Sequence, residues 1–182
     1  MRALTKKLLP FGVILVCAAT LVAAANYFTL GHPLRSATKD DPRNEGIDVR
    51  VHYRYYIDPT EITFDLREVK AEKAPADVTR VLLQFASSVK DRDFRVVRLA
   101  YKGQEKFRLD GTYFHTLGME LGAQNPIYTI RTMPENVKNL DGSAAFGTWT
   151  GGWLGVMSKQ MEDVAEFHRR WYIADVVAAS ER

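Results

Sequence analysis

The residues that could perform chemistry in this chain are few and widely spaced. They are four histidines and one cysteine: His32, His52, His115, His168 and Cys17. A helical metal site usually places two histidines four residues apart with an acid between them, and no pair here has that spacing. The chain also contains no G-x-S-x-G nucleophile motif and neither of the common glycine-rich phosphate loops. We therefore predict no catalytic residue, no metal site and no cofactor.

An enzyme remains the alternative. Paired carboxylates cannot be chosen from sequence, because the separation that acid–base chemistry requires is set by the tertiary fold. A hydrolase that uses carboxylates or a His–carboxylate pair would need converging side chains, and the candidates are Asp110, His115, Tyr128, Arg131 and Glu135. Their convergence in one pocket would favour catalysis, and their dispersal would favour a binding module.

The most unusual local composition is in residues 146–155, where two tryptophans lie among four glycines. Large rigid side chains on a flexible backbone suit a groove for a ligand or partner. We take Trp149, Trp153, Tyr128 and Arg131 as candidate binding residues. Packing is the competing interpretation, and it is the more usual role of tryptophan in a domain of this size. We expect Trp153 to be buried at a helix start and Trp149 to be the one free to face outward.

The net charge of +3 and the pI near 9.0 originate at the N-terminus. Residues 1–30 contain Arg2, Lys6 and Lys7 and no acid, which leaves 22 basic against 22 acidic residues in the rest of the chain. A surface that follows nucleic-acid phosphates needs a local basic excess. We therefore exclude nucleic acid as a partner.

The N-terminus has the pattern of an export or membrane segment. Three positive charges are followed by residues 8–25, which carry no charge, and the uncharged run extends to residue 34 if His32 is neutral. Residues 1–30 are either a cleaved signal peptide, with Ala25 ending an A-x-A site, or an uncleaved anchor that contacts the bilayer through residues 8–30. We favour the anchor, because Tyr27 and Phe28 lie where interfacial aromatic residues are expected.

Either version holds the N-terminus in the cytoplasm and sends the rest of the chain across a bacterial-type inner membrane into the periplasm. Residues 31–46 are rich in Pro, Ser, Asp, Lys and Asn without periodicity, which predicts a solvated linker. The extracytoplasmic domain then covers residues 47–178. Its cysteine-free sequence must fold without a disulfide.

The domain alternates strand and helix patterns. We predict strands at 49–57, 62–67, 94–101 and 127–132, a short extended segment at 107–109, and helices at 75–90, 112–121 and 132–139. A C-terminal helix follows, with an apolar stripe of Leu154, Met157, Met161, Val164, His168 and Trp171 that we expect to close the core. The acids near His168 lie on the other helix face, so we predict a core histidine and no ligand. The fold class is α+β: a mostly antiparallel sheet of four or five strands with helices packed on one face.

We identify no known family from these residues. The function that we infer is a membrane-tethered periplasmic binding or assembly module of the cell envelope without catalysis. Its partner would be an envelope protein or a membrane complex. The envelope hydrolase described above is the alternative.

The uncharged N-terminal run gives the first testable prediction. The mature protein should stay with the membrane after washing with salt and carbonate, because about 20 apolar residues suffice to span the bilayer. Fractionation and immunoblotting would measure this. A soluble species whose first residue is Asn26 would show instead that residues 1–25 are a signal peptide.

Overall fold

The computed structural model describes the backbone of residues 2–181 and the side chains of residues 13–181. The helices are α1 (Arg2–Asn26), α2 (His32–Thr38), α3 (Pro75–Ser88), α4 (Gly111–Glu120), α5 (Pro126–Thr132), α6 (Trp153–His168) and α7 (Ala174–Ser180). The strands are β1 (Ile47–Arg54), β2 (Asp58–Val69), β3 (Val96–Tyr101), β4 (Gln104–Asp110) and β5 (Val137–Lys138). A π-helical turn, Tyr27–Gly31, joins α1 to α2, and another, Arg169–Ile173, joins α6 to α7. Two 3₁₀ turns, Pro42–Asn44 and Met133–Asn136, complete the chain.

The five strands form one sheet in the order β1-β2-β3-β4-β5. β2 and β3 are parallel, with Glu61 opposite Val96 and Leu66 opposite Tyr101, and the other three pairs are antiparallel. The α+β class with five strands is confirmed, but the sheet is mixed and the prediction of a mostly antiparallel sheet was wrong. The reason is α3, because a helical crossover between neighbouring strands brings the second strand back parallel to the first.

The hydrophobic core lies between one sheet face and the helices. The Phe64 ring on β2 lies 5.8 Å from the Phe85 ring on α3 and 6.1 Å from the Trp171 ring in the C-terminal π turn. Trp171 is fully buried, and its indole N–H donates a hydrogen bond of 3.1 Å to the carbonyl of Ala100. The apolar side chains of the strands alternate onto this face as the period of two requires. Burial against α3 and the C-terminal π turn therefore fixes the register of the sheet.

The N-terminal helix extends further than the sequence predicted. Residues 32–38 are helical, and Leu30 and Leu34 are buried in the core cluster. The expected linker at 31–46 is therefore α-helical over residues 32–38, and the side chains of Leu30 and Leu34 pack it against the core. Residues Val13–Thr38 are long and apolar enough to cross a membrane, with a mean hydropathy of 2.0. A signal sequence has the same length and composition.

Asn26 attaches this helix to the edge of the sheet. Its Oδ1 accepts a hydrogen bond of 2.7 Å from the backbone N–H of Tyr53, and its Nδ2 donates one of 2.8 Å to the carbonyl of Tyr56. Nδ2 also donates to the carbonyl of Val22. The Asn26 side chain thereby provides hydrogen-bond partners for two backbone groups where β1 leads into its turn. Asn26 itself is only 5% exposed.

Three local predictions were wrong. Residues 127–132 form α5 and no strand, because Asn125 accepts a hydrogen bond from the N–H of Ile127 and Pro126 occupies the first helical turn. The predicted helix at 132–139 is a 3₁₀ turn that leads into β5. The strand predicted at 49–57 ends earlier, because β1 stops at Arg54 and the chain turns, with the side chains of Tyr55 and Ile57 exposed.

The C-terminal stripe covers the core along only half of its length. Val164, His168 and Trp171 are buried, whereas Leu154 is 69% and Met161 is 49% exposed. The first turns of α6 contact α5 and lie beyond the sheet. The expected burial of Trp153 was wrong for the same reason, since its side chain is 68% exposed.

This division of the stripe predicts opposite outcomes for two matched substitutions. Val164→Asp places an unpaired charge in the core and should cost several kcal/mol of a total stability of roughly 5 to 15 kcal/mol. Met161→Asp should change stability by less than about 0.5 kcal/mol, because the side chain is solvated. Urea denaturation of the full-length chain in detergent would measure both. Equal destabilisation by the two substitutions would contradict the placement of α6.

Candidate functional site

A groove lies between α5 and the first half of α6. Its apolar walls are formed by Ile127, Tyr128, Trp153, Leu154, Met157 and Met161, and its polar rim by Asn125, Arg131 and Ser158. Its volume is about 390 Å³. We call this surface the α5–α6 groove.

Local sequence signals place the walls of the groove. The Asn125 cap and Pro126 start α5, so that Ile127, Tyr128 and Arg131 follow at helical spacing. On α6 the spacing of Leu154, Met157 and Met161 puts these side chains on one face. Two short helical faces therefore converge without a strand between them.

The groove exposes more large apolar side chains than folding of the domain requires. Ile127, Trp153 and Leu154 are each more than two-thirds exposed, and Tyr128 is 46% exposed. Monomeric soluble proteins rarely expose contiguous apolar surface of this kind unless it meets a partner, ligand or membrane. Its two methionines can also adapt to differently shaped partners, because the side chain is unbranched and polarizable.

Arg131 supplies the charge of the groove. Its guanidinium carbon lies 5.6 Å from the centre of the Tyr128 ring, a distance at which a cation is attracted to the ring face. Within residues 13–181 the side chain of Arg131 forms no salt bridge. An acidic group on a bound molecule could therefore pair with it.

Three of the four binding residues taken from the sequence line this groove: Tyr128, Arg131 and Trp153. Trp149 does not. Its indole N–H donates a hydrogen bond of 2.7 Å to Asp163, and the Lys159 ammonium lies 5.9 Å from its ring centre. It therefore packs along the charged face of α6, while Trp153 faces outward.

The residues of the enzyme alternative are divided among several places. Asp110 at the end of β4 pairs with Lys138 on β5, and Glu135 accepts a hydrogen bond from Gln160. His115 is exposed on α4. None of these three lines the α5–α6 groove with Tyr128 and Arg131. The groove walls can bind an apolar segment, but they hold no histidine or carboxylate among the described residues for proton transfer.

A charged cluster on the other sheet face was missed by the sequence analysis. Glu61 is 2% exposed and contacts the guanidinium groups of Arg54, Arg95 and Arg98, and Arg98 also binds Glu105. Burial acts to raise the pKa of Glu61, but the hydrogen bond from Arg98 and the three positive charges outweigh it and hold the pKa below its ordinary value. The only signal in the sequence was the alternation of charged residues along the strands. Glu61 and Glu105 are both paired in this cluster, so removal of one partner would leave an uncompensated charge in a buried or half-buried place.

A larger cleft lies between the N-terminal helix and β1. Its volume is about 1180 Å³, and its lining runs from Ala19 and Ala23 on α1 past Arg35 on α2 to Arg50 and His52 on β1. Its walls combine apolar residues of the candidate membrane span with charged residues of the sheet. Of the histidines singled out in the sequence, His52 lines this cleft, and none of the four candidate binding residues does.

His168 is buried, as predicted. Its Nε2 lies 3.1 Å from Thr79 Oγ1, and its Nδ1 has no hydrogen-bond partner among the described residues. Burial lowers the pKa of its imidazole to about 4. The side chain is therefore neutral in the folded protein at neutral pH.

Within residues 13–181, no group of three or more His, Cys, Asp or Glu side chains could hold a metal ion. Comparison of the chain with protein-family models, curated proteins and solved structures finds no match. Function is therefore argued from the geometry of the α5–α6 groove and the N-terminal helix.

The lowered pKa of His168 predicts a pH-dependent stability. Because the unfolded histidine takes up its proton near pH 6.5 and the folded one near pH 4, stability is full above pH 6.5 and falls as the pH drops between these values. The loss should approach about 3 kcal/mol, at 1.36 kcal/mol for each pKa unit. Denaturation curves of wild type and His168→Gln at pH 7 and pH 4.5 would measure it, since carboxylates contribute equally to both proteins. Equal losses in the two proteins would contradict the assignment.

Proposed function

We propose that this protein is a membrane-tethered periplasmic binding or assembly module without catalytic activity. In this proposal the α5–α6 groove binds an apolar segment of another envelope protein or of a membrane complex. The exposed groove carries the proposal, because its walls leave large apolar side chains in water that the core does not need. Truncation of the groove should therefore alter binding and leave folding intact.

The membrane tether rests on the N-terminal helix. The positive charges at residues 2–7 would hold its start in the cytoplasm and place the domain in the periplasm. The Ala23–Ala25 cleavage motif lies inside α1, and the carbonyl of Ala25 accepts a hydrogen bond from the Thr29 hydroxyl. Proteases prefer exposed and irregular segments, which favours the uncleaved anchor over release of a soluble domain.

The chemistry of the groove indicates the class of partner. Two helices with an apolar groove between them suit an amphipathic helix that inserts side chains at i, i+3 and i+4. Arg131 on the rim would select a partner with an acidic residue at the edge of its apolar stripe. Trp153 and Tyr128 would act as the aromatic anchors of such an interface.

Site-specific photocrosslinking tests the proposal. A photoreactive amino acid in place of Leu154 in the groove should form an adduct with a second protein in native membranes. The matched control replaces Glu162, which lies exposed on the charged face of the same helix. Met161→Asp should abolish the adduct at 154, because it places a charge in the apolar wall while the fold stays intact.

The charge of the partner is tested in the same experiment. Arg131→Glu should reduce the adduct at 154 at least several-fold. The substitution removes the attraction between the guanidinium and an acidic group of the partner and adds a repulsion between two carboxylates. The control is Arg169→Glu. Arg169 is exposed in the π turn after α6, where it pairs with Glu166, and it does not line the groove. Equal crosslinking at 154 and 162, or an adduct that survives Met161→Asp, would refute the groove as the binding surface. An adduct of twice the monomer mass would show that the groove binds a second copy of the chain and not another envelope protein.

A further inference from the structure

The turn between β1 and β2 exposes three consecutive large side chains. Tyr55 is 72%, Tyr56 is 45% and Ile57 is 70% exposed. Both tyrosines have positive φ angles, 52° and 65°, a conformation that glycine or asparagine adopts more easily. The hairpin therefore places bulky residues at its tip where smaller ones would fold with less strain. Strain of this kind in a native protein is a reason to look for a function of the segment.

The tip is bonded to the end of the candidate membrane span. Asn26 on α1 is hydrogen-bonded to the backbone of Tyr53 and Tyr56, at 2.7 Å and 2.8 Å. Tyr56 also stacks on His52, with ring centres 4.4 Å apart. The position of the tip along the helix axis is thus set by Asn26.

The depth of Asn26 follows from helix geometry. The last basic residue before the apolar run is Lys7, and 20 residues of helix at about 1.5 Å per residue span the ~30 Å hydrocarbon core. If Lys7 lies at the cytoplasmic interface, Tyr27 lies at the outer one. Asn26, and the hairpin tip bonded to it, then lie at the level of the lipid headgroups on the outer side.

The side chains of the tip suit the headgroup level of a bilayer. Tyrosines are enriched where apolar rings can enter the bilayer while the hydroxyl stays hydrated, and Ile57 adds a purely apolar side chain. Two guanidinium groups lie near the tip, and both pair with Glu61: Arg54 lies 4.9 Å from the Tyr55 ring centre, and the Arg95 side chain is 67% exposed. Cations beside interfacial aromatic residues can contact lipid phosphates.

We infer that the Tyr55–Tyr56–Ile57 tip is a second membrane contact, which inserts into the interfacial layer of the outer leaflet beside the N-terminal span. This inference rests on the proposed anchor. It assigns the tip a lipid surface as its partner and leaves the α5–α6 groove to a protein. With two contacts, the span and the hairpin, the domain has a fixed orientation on the bilayer.

Spin-label accessibility in pure lipid vesicles tests the inference on the full-length chain. Cys17 is first replaced by alanine, and single cysteines are then introduced and labelled. Ile57→Cys reports on the tip. Glu68→Cys is the matched control, since it is exposed on β2, the strand that follows the tip, roughly 36 Å away at about 3.3 Å per residue. Leu15→Cys reports on the span, and Tyr55→Cys provides a second label at the tip.

The expected result is a ratio of oxygen to nickel-chelate collisions that is several-fold higher at 57 and 55 than at 68. Oxygen partitions into lipid and the polar chelate does not. A ratio at 57 and 55 equal to that at 68, with a high ratio at 15, would overturn the hairpin contact and leave the anchor standing. A low ratio at 15 would refute the anchor itself and the inference with it.

Discussion

The hydrogen bonds of Asn26 to the backbone around the β1–β2 turn are the constraint on which the arrangement of this molecule depends. β1 is the edge strand of the sheet, and an open edge exposes backbone groups that can pair with another chain. Here the amide of Asn26 bonds the N–H of Tyr53 on this strand and the carbonyl of Tyr56 in the turn after it, and Leu30 and Leu34 continue the contact into the core. The N-terminal helix is consequently part of the domain as well as a candidate span.

This docking also explains why the apolar segment runs beyond the length that a membrane requires. Residues up to about 27 suffice to cross the hydrocarbon core at about 1.5 Å per residue. Leu30 and Leu34 follow on the same helix and are buried against protein. In the proposed anchor, one continuous apolar pattern would serve two environments, first lipid and then the domain core. Sequence composition alone cannot mark the boundary, because both environments select the same side chains.

The elements with strong periodicity were predictable. The helix predicted at 75–90 and the strand predicted at 62–67 are confirmed as α3 and β2, and in both the apolar residues recur at the period of the element. The failures have local causes. In residues 127–132, β-branched and aromatic composition suggested a strand, but the Asn125 cap and Pro126 favour a helix start. The parallel pairing of β2 and β3 was missed, although the helix between them was recognised.

Three residues of the candidate site could be selected from the sequence, but the reason that they lie together could not be predicted. Tyr128, Arg131 and Trp153 were selected from composition, and they meet because two helix faces that lie 25 residues apart in sequence converge in space. Periodicity shows that a helix face is apolar, but it cannot show what covers that face. In α6 the same stripe packs on the sheet from Val164 onward and faces water before it. A helix that was selected only for the core would have polar residues in its exposed turns. The core does not account for the apolar character of Leu154, Met157 and Met161, and the partner contact proposed for the α5–α6 groove would account for it.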